Sequence, residues 1–223
     1  MIMYHGAYPP KGFNRTYPNN ITREGVLGSE NNIWGDRATP GHDVTLPFTR
    51  MLAGSFDYEP GILNNATQKG FRPIEGMVMS QGTRCHQLAM FVVYDSPMQI
   101  FSGNPSQAWL EPKFTELLGS ISTTWEQTNV LDGKVGEFIV TARQNGNNWF
   151  IAGMSNWTPR DISINFDFLD ASANYKATIC KDGVNADRYA ADYILSDATV
   201  KKGDVMKLHM APGGGFLLKL VKE

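Results

Sequence analysis

The residues best suited to chemistry lie near the N-terminus, in a glycine-rich stretch with no clear periodicity, NRTYPNNITREGVLGSENNIWG (residues 14–35). Loops of this kind carry function more often than they carry packing. Two carboxyl groups that flank a glycosidic bond can hydrolyse it when one of them stays protonated and acts as the acid. Glu30 is a candidate for that acid, although a glutamate in such a loop is, taken alone, more often simply solvated.

A histidine follows the first apolar run of the chain. Residues 1–4 (MIMY) predict a short buried strand, after which His5 and Gly6 lead towards a Pro-Pro pair. The ends of buried strands are where α/β barrels keep their catalytic groups. Because the chain begins abruptly with this strand, we expect it to be the C-terminal part of a longer protein.

The composition excludes several classes of function. With 42% apolar residues, 19% charged residues and a net charge of −2, the chain is typical of a globular protein and has no basic stripe that would bind nucleic acid. No stretch approaches the roughly 20 apolar residues of a membrane span. The aromatic share of 11% fits either a stacking ligand such as a carbohydrate or an aromatic core. Cys85 and Cys180 are the only cysteines, and they could pair only if the fold brings them together.

The elements that hold these residues differ between two parts of the chain. In the first part, helical patterns cover residues 83–94 and 105–124, and Pro112 interrupts the second of them. Strand-like segments are predicted at the end of residues 42–54 and at residues 98–101. Strand, loop and helix in rotation indicate the βα units of a parallel sheet or barrel. About three such units cannot close a barrel, which needs eight.

The second part is a series of short strands. Two alternating runs flank an Asn-Gly pair at residues 145–146, which predicts a hairpin, and Ile162 to Phe168 alternate on one face of a further strand. Such a series predicts an antiparallel β-sandwich. The predicted fold is therefore α/β plus all-β: residues 1–128 form the C-terminal βα units of an incomplete (β/α)8 barrel, and residues 129–223 form an antiparallel β-sandwich.

Several motifs occur in an order that resembles glycoside hydrolase family 97. They are YHGA, PPKG, RTYPN, REG, GSE, LPFTR and DYEPG, followed by a helix that ends in YDSPMQ. Each motif is weak alone, but the ordered series is specific, and the resemblance covers the whole chain. It implies the last βα units of a (β/α)8 barrel and the C-terminal β-sandwich of a bacterial, exo-acting α-glucosidase or α-galactosidase. It also implies an α-linked oligosaccharide as substrate and a periplasmic or otherwise exported location.

The resemblance implies roles for individual residues. His5 matches a histidine near the sugar, and Glu30 of GSE matches the general acid that protonates the departing oxygen. Glu24 of REG matches a carboxylate associated with a calcium ion, an ion that needs six or more oxygen ligands. Glu24 could instead form a surface ion pair that contributes little. Arg15 and Asp57 lie in motif segments and are candidate substrate-binding residues.

Gly6 implies the stereochemistry. In the inverting members of the family a glutamate follows the histidine and helps to activate water, whereas this chain has Gly6 there. The resemblance therefore implies a retaining enzyme, with an aspartate nucleophile on an earlier barrel strand and Glu30 acting first as acid and then as base. We expect an α-galactosidase whose C-terminal part, this chain, is inactive alone.

Two other functions remain open. One is an inverting α-glucosidase of the same family, in which another residue replaces the missing base. The other is a non-catalytic carbohydrate-binding or structural β-sandwich with a helical extension. The stereochemistry of the product distinguishes the first of these, and sugar binding without hydrolysis is the sign of the second.

The remaining candidates have plainer structural explanations. His42 and Asp43 are adjacent, and we expect them to lie solvated in a loop. His86 is expected near a helix end rather than on a metal, and His209 on a face of the sandwich. Trp149 could form a sugar-stacking platform, but a tryptophan buried in the sandwich is the more frequent case.

Overall fold

The first part of the chain contains only short elements. The structure, a computed structural model, describes all 223 residues, and it contains no helix with the length and apolar character of a membrane span. Two separate pairs of strands are parallel. The pairs are β1 (Ile2–Tyr4) with β2 (Asn20–Arg23), and β3 (Asn65–Ala66) with β4 (Ser80–Gln81). No barrel forms in this chain, and β1 is not buried, since Ile2 is 41% exposed.

Short helical turns connect these strands. They are α1 (Phe13–Thr16), α2 (Pro40–Asp43) and three 3-10 helices at Ser29–Ile33, Leu46–Phe48 and Arg50–Ala53. The strand-like segment predicted at the end of residues 42–54 was therefore wrong. Proline at 40 and at 47 lies in the first turn of a helix in both cases, where its missing N–H costs nothing, so these prolines start helices rather than bound a strand.

The central helix of the molecule, α3 (Arg84–Val93), is confirmed almost to the residue. Thr83 caps its N-terminus by accepting a hydrogen bond from the N–H of His86 at 3.1 Å, and the helix ends at Tyr94. All ten of its residues are buried. After it, residues 98–101 form no strand, contrary to the prediction. The second predicted helix appears as α4 (Pro105–Leu110) and α5 (Pro112–Gly119), divided where expected at Pro112.

Eight antiparallel strands form the second part of the chain. They are β5 (Gln127–Lys134), β6 (Phe138–Asn145), β7 (Asn148–Ser155), β8 (Arg160–Asn165), β9 (Asn174–Asp182), β10 (Tyr193–Lys201), β11 (Val205–Met210) and β12 (Gly215–Lys222). The hairpin predicted at the Asn-Gly pair is confirmed between β6 and β7, where Asn145 pairs with Asn148. Gly146 adopts a φ of +56°, which explains why glycine follows asparagine in this turn.

The strands form two sheets that face each other. Six strands are ordered β10-β9-β12-β7-β6-β5, and β11 pairs with β8 in a second sheet. Between the sheets lies an apolar core to which Ile151, Ile164 and Leu208 contribute. The opposite face of the six-stranded sheet carries Phe150, Met154 and other apolar side chains that pack against α3 in another core.

Strand β7 shows why this sheet folds as it does. Its residues 149–154 (WFIAGM) are almost all apolar, because alternate side chains enter the two cores on opposite faces. A strand buried on both faces must be apolar throughout, whereas β10 at the edge alternates with polar and exposed residues. The six-stranded sheet is therefore packed between the β8–β11 sheet on one face and α3 on the other.

Candidate functional site

Four carboxylate side chains converge on one histidine. Nδ1 of His5 lies 3.2 Å from Oδ2 of Asp57, 3.4 Å from Oε2 of Glu24 and 3.7 Å from Oε1 of Glu59. Nε2 of the same ring lies 3.1 Å from Oε1 of Glu30. We call this group of five residues the acidic cluster: His5, Glu24, Glu30, Asp57 and Glu59.

Parallel strand pairing brings the first two members together. His5 directly follows β1 and Glu24 directly follows β2, and parallel strands place their C-terminal ends side by side. The N–H of Glu24 donates to the carbonyl oxygen of Tyr4 at 2.8 Å, which extends the pairing by one residue. The N–H of Gly6 donates to the carboxylate of Glu24. The side chain of Glu24 is therefore fixed from the backbone of the neighbouring strand end.

A buried arginine, Arg50, also holds the C-terminal end of β2 in place. Nε of Arg50 donates to the carbonyl oxygen of Glu24 at 2.9 Å, and a terminal nitrogen donates to that of Arg23 at 2.6 Å. Arg50 is 7% exposed, and its guanidinium binds backbone oxygens rather than the carboxylates. Its hydrogen bonds hold the backbone at the end of β2 in place.

Asp57 and Glu59 come from a loop that follows the last 3-10 helix and forms neither helix nor strand. Both carboxylates point towards His5, at 3.2 Å and 3.7 Å from Nδ1. Asp57 is 2% exposed and Glu59 is 9% exposed. Two of their oxygens, Oδ1 of Asp57 and Oε1 of Glu59, are buried without any hydrogen-bond partner. Sequence reasoning missed Glu59, although the Asp-Tyr-Glu spacing within DYEPG was the signal for it.

Gly28 makes room for Glu59. A Cβ atom on residue 28 would lie 2.3 Å from Oε2 of Glu59, so only glycine allows the carboxylate this position. The same oxygen accepts a long hydrogen bond, 3.4 Å, from the N–H of Glu30. Glu59 therefore lies directly beneath the start of the 3-10 helix that carries Glu30.

Glu30 is the cluster carboxylate that solvent reaches best. Its side chain is 37% exposed, against 6% for Glu24, 2% for Asp57 and 12% for Glu59. An acid that protonates a leaving group must reach the substrate, whereas ligands of an ion or groups that orient a neighbour can be buried. The exposure of Glu30 fits the acid role predicted from the sequence, which stays a prediction.

The pKa values of the acidic cluster are shifted because several negatively charged groups lie close together. Burial, followed by the neighbouring charge of Asp57, raises the pKa of Glu59 from 4.5 to about 7. The hydrogen bond to Asp57, with contributions from the charges of Glu24 and Glu30, raises the pKa of His5 above 6.5. A cation bound at the cluster would offset the repulsion that these shifts reveal.

The donor set of the acidic cluster fits a hard divalent cation. Carboxylate oxygens of Glu24 and Glu30 lie within 4.8 Å of each other, and so do those of Asp57 and Glu59. Carboxylate oxygens are the ligands that calcium prefers. The unpartnered buried oxygens of Asp57 and Glu59 are available to such an ion.

Arg15 lies apart from the cluster. It is on α1, its side chain is exposed, and it makes no side-chain hydrogen bond or ion pair. Of the five site residues predicted from the sequence, the structure brings together four and leaves out Arg15.

The histidine–aspartate pair at residues 42–43 is not a solvated loop feature, contrary to expectation. Asp43 is 2% exposed and accepts hydrogen bonds from the hydroxyl of Tyr58 and from Nε2 of His86, the latter at 3.3 Å. Nε2 of His42 contacts the carbonyl oxygen of Leu27 at 2.9 Å. This polar network, in which Asp43 and His86 are buried, joins α2 to the first turn of α3.

The other candidate residues lie outside the acidic cluster, in positions where they contribute to the fold. His86 lies in the first turn of α3, as expected, with Nδ1 3.1 Å from the carbonyl oxygen of Gly214. His209 is exposed on β11, as expected, and pairs with Asp161 at 2.8 Å. Trp149 is 4% exposed in the core between the sheets, which confirms the plainer of its two interpretations.

Comparison with known proteins shows similarity to one family of glycoside hydrolases. Residues 124–221 match the family model described as "Glycosyl-hydrolase 97 C-terminal, oligomerisation". A solved family 97 glycoside hydrolase of Pseudoalteromonas sp. strain K8, in complex with panose, superposes on the whole chain with a TM-score of 0.91 at 35% identity, and the match covers 35% of that enzyme. Over its whole length the chain is therefore similar to glycoside hydrolase family 97.

Two curated relatives are similar to nearly the whole chain. A retaining alpha-galactosidase of Bacteroides thetaiotaomicron is 44% identical over 218 residues, which are 97% of this chain and 33% of the relative. A probable retaining alpha-galactosidase of Streptomyces bingchenggensis is 29% identical over 97% of this chain and 31% of its own length. The chain thus spans about a third of the length of the curated relatives that it matches.

Proposed function

We propose that the acidic cluster is one side of the catalytic site of a retaining α-galactosidase, to which this chain contributes the C-terminal part. In this proposal residues 1–128 complete a (β/α)8 barrel and residues 129–223 form an accessory β-sandwich. The observation that carries the proposal is the convergence of Glu30, the most exposed carboxylate, with three buried carboxylates on His5. The similarity to the Bacteroides retaining alpha-galactosidase supports it.

Glu30 is the proposed acid and base. In the first step its proton goes to the glycosidic oxygen as the bond to the anomeric carbon breaks, and in the second it takes a proton from the incoming water. Nε2 of His5, 3.1 Å from the Glu30 carboxylate, orients it and stabilises its charged form between the two steps. The nucleophile that forms the covalent glycosyl-enzyme is proposed to lie on an earlier barrel strand.

Gly6 supports retention over inversion. An inverting enzyme needs a second carboxylate that activates water on the far side of the sugar. Residue 6 has no side chain, and its N–H donates to Glu24. The position that carries the base in the inverting members is therefore occupied here by a backbone group that holds a neighbouring carboxylate.

A calcium ion is proposed at the same site. Glu24 would hold it, together with oxygens of Asp57 and Glu59 that have no other partner. A bound calcium ion supplies positive charge that offsets the clustered carboxylates and can polarise a sugar hydroxyl. The residues of this chain then fix the ligands: the N–H of Gly6 aligns Glu24, and the missing side chain of Gly28 admits Glu59.

The catalytic proposal is tested with a chimera. This chain replaces the matching third of the Bacteroides enzyme, and hydrolysis of an aryl α-galactoside is followed, with the anomer of the first product determined by proton NMR. We expect retention of configuration and a loss of roughly 10²-fold or more in kcat for Glu30→Gln. Glu75→Gln, a change at an exposed glutamate outside the cluster, is the matched control. Full activity of Glu30→Gln would exclude Glu30 as the acid.

The calcium proposal is tested on the chain itself by isothermal titration and thermal unfolding. We expect calcium to raise the Tm of the wild-type chain, because an ion that binds only the folded state stabilises it by about 2.7 kcal/mol at a hundred times its Kd. Glu24→Gln should remove this shift, and Glu75→Gln should keep it. Equal calcium binding by both variants contradicts the assignment of Glu24.

An α-glucosidase is the second candidate. The Pseudoalteromonas enzyme was solved with panose in one structure and with acarbose in another. These ligands belong to that enzyme, yet its superposition on the whole chain favours testing glucosides beside galactosides. Faster hydrolysis of an aryl α-glucoside than of an aryl α-galactoside by the full-length protein that contains this chain, with inversion of configuration, would establish this alternative in place of the first.

A further inference from the structure

The only two cysteines of the chain lie side by side in the core. Cys85 is in the first turn of α3 and Cys180 is on β9, 95 residues later. Both are fully buried, and their Sγ atoms are 3.8 Å apart. The fold therefore brings together two cysteines from distant parts of the chain. They lie side by side within a core whose other members are apolar side chains.

The surrounding contacts fix the two cysteines against each other. Two residues before Cys85, the hydroxyl of Thr83 donates to Oδ1 of Asp182 at 2.6 Å, two residues after Cys180. The start of α3 also lies close to β12, since a Cβ atom on Gly215 would be 2.9 Å from the carbonyl oxygen of Cys85. The backbones on both sides of the pair are therefore anchored independently of the sulfur atoms.

We propose that Cys85 and Cys180 are joined by a disulfide bond when the chain folds under oxidising conditions, and that this bond ties α3 to β9. The reaction is exchange with a small-molecule disulfide. The thiolate of one cysteine attacks it to give a mixed disulfide and releases one thiol. The second cysteine then attacks the mixed disulfide, the intramolecular S–S bond forms, and a second thiol leaves. The chain loses two electrons and two protons, and the reagent is reduced to two thiols.

The bond must form before the core closes. Neither sulfur is accessible in the folded chain, and burial raises the pKa of the Cys85 thiol well above its usual range, which suppresses the reactive thiolate. Folded chains with two thiols consequently stay reduced, and folded chains with the disulfide resist reduction. Conditions during folding, rather than those afterwards, set the state of the pair.

Refolding of the whole chain with reduced and oxidised glutathione, beside refolding with a reductant, tests the proposal. Each sample is denatured, treated with iodoacetamide and measured by intact mass. We expect no alkylated cysteine after oxidative refolding and two after reductive refolding. A chain that refolds natively with glutathione and still alkylates at both cysteines, or that carries glutathione on them, overturns the proposal.

Thermal unfolding supplies an independent readout. A disulfide that closes a loop of this length should raise the Tm of the oxidised chain by roughly 5–10 °C over the reduced chain. Cys180→Ala, which keeps one thiol and cannot form the bond, should give the same Tm after both treatments. If the oxidised and the reduced wild-type chain have the same Tm, no disulfide bond joins α3 to β9. The wild-type comparison decides the matter even where the variant fails to fold.

Discussion

Among single residues, Glu59 makes the stability of the folded chain depend on pH. It is buried beside Asp57, and no arginine or lysine side chain binds its carboxylate. A carboxyl group in this position prefers to be neutral, so its proton is retained on folding at pH values where the unfolded chain has lost it. The stability of the chain thus depends on the pH through this residue.

The first prediction concerns that dependence in the absence of metal. Between pH 4.5 and about 7 the folded state binds more protons than the unfolded state, so the free energy of unfolding falls as the pH rises. For Glu59 the loss is at most about 3 kcal/mol. The raised pKa of His5 acts in the same direction, because its protonated form is stabilised by folding.

Denaturant unfolding at pH 5 and pH 8, with a chelator present, measures this effect. Glu59→Gln should reduce the difference between the two pH values and stabilise the chain at pH 8. Glu75→Gln should leave the difference as it is. A wild-type chain that is more stable at pH 8 than at pH 5 would show that the acidic cluster does not control the pH dependence.

The acidic cluster was only partly predictable from the sequence. Sequence motifs pointed to His5, Glu24, Glu30 and Asp57, and parallel pairing of two strand ends explains why the first two meet. Glu59 was missed because it lies in a loop, where a single sequence does not show which side chains point to the same place. Arg15 was included because it lies in a motif, and nothing in a single sequence shows that its helix directs it to solvent.

Among the elements, strand β7 depends on one glycine for its packing. A Cβ atom on Gly153 would lie 2.4 Å from the ring of Phe216, a fully buried residue of β12. Neither the strand nor the ring can move without opening the core between the sheets. Gly153 is therefore required by close packing rather than by its backbone conformation.

The second prediction follows from this contact. Gly153→Ala should lower the free energy of unfolding by about 1–3 kcal/mol, the usual cost of overpacking a core. Gly35→Ala is the control, because a Cβ atom there meets no atom within 4 Å. Chemical denaturation of both variants checks the prediction, which fails if the two are equally stable.

A buried aspartate joins three elements at one point. Oδ1 of Asp182 accepts from the hydroxyl of Thr83, which caps α3, and Oδ2 accepts from the N–H groups of Ala211 and Gly215. These three donors come from the helix, from the connection between the two sheets and from β12. The carboxylate therefore positions α3 on the sheet.

The third prediction removes that carboxylate. Asp182→Ala should lower the free energy of unfolding by about 3–5 kcal/mol, because it leaves buried donors without an acceptor. Asp187→Ala, at an exposed position, should change it by less than about 0.5 kcal/mol. Thermal and denaturant unfolding give both values, and a similar small effect for the two variants would contradict the role of Asp182.

Elements with strong local signals were predictable, and those that depend on tertiary contacts were not. Helix α3 has a threonine cap and a long apolar run, and the β6–β7 hairpin has an Asn-Gly turn. Residues 98–101 are apolar enough for a strand but have no neighbouring strand with which to pair. A short apolar run becomes a strand only when the fold supplies a partner, and a single sequence does not contain that information.

At the scale of the whole molecule, the two parts of the chain share a core. Phe150, Met154 and Leu217 of the sheet pack with Leu88 and Val92 of α3. The division at residues 128 and 129, based on the change of sequence pattern, stays a prediction. The strand order β10-β9-β12-β7-β6-β5 could not have been derived from the sequence, because it pairs strands that are distant along the chain.

The fourth prediction tests how independent the second part is. Residues 124–223 expressed alone would expose the apolar face that α3 covers, and we expect this segment to self-associate and to bind a hydrophobic dye. The full chain should do neither to the same extent. Gel filtration and dye fluorescence make the comparison. A monomeric segment whose Tm equals that of the full chain would show that α3 is dispensable for the sheet.

Helix α3 has no side that faces water, and this has a consequence for how its sequence can vary. A helix on a protein surface accepts almost any polar residue along one stripe, so substitutions accumulate there with a period of 3.6. All ten residues of α3 are enclosed by sheet, loops and polar networks. Substitutions in α3 should therefore be tolerated equally poorly on all sides of the helix, without a period of 3.6 residues. In homologous proteins we expect residues of α3 to change only when the residues that pack against them change as well.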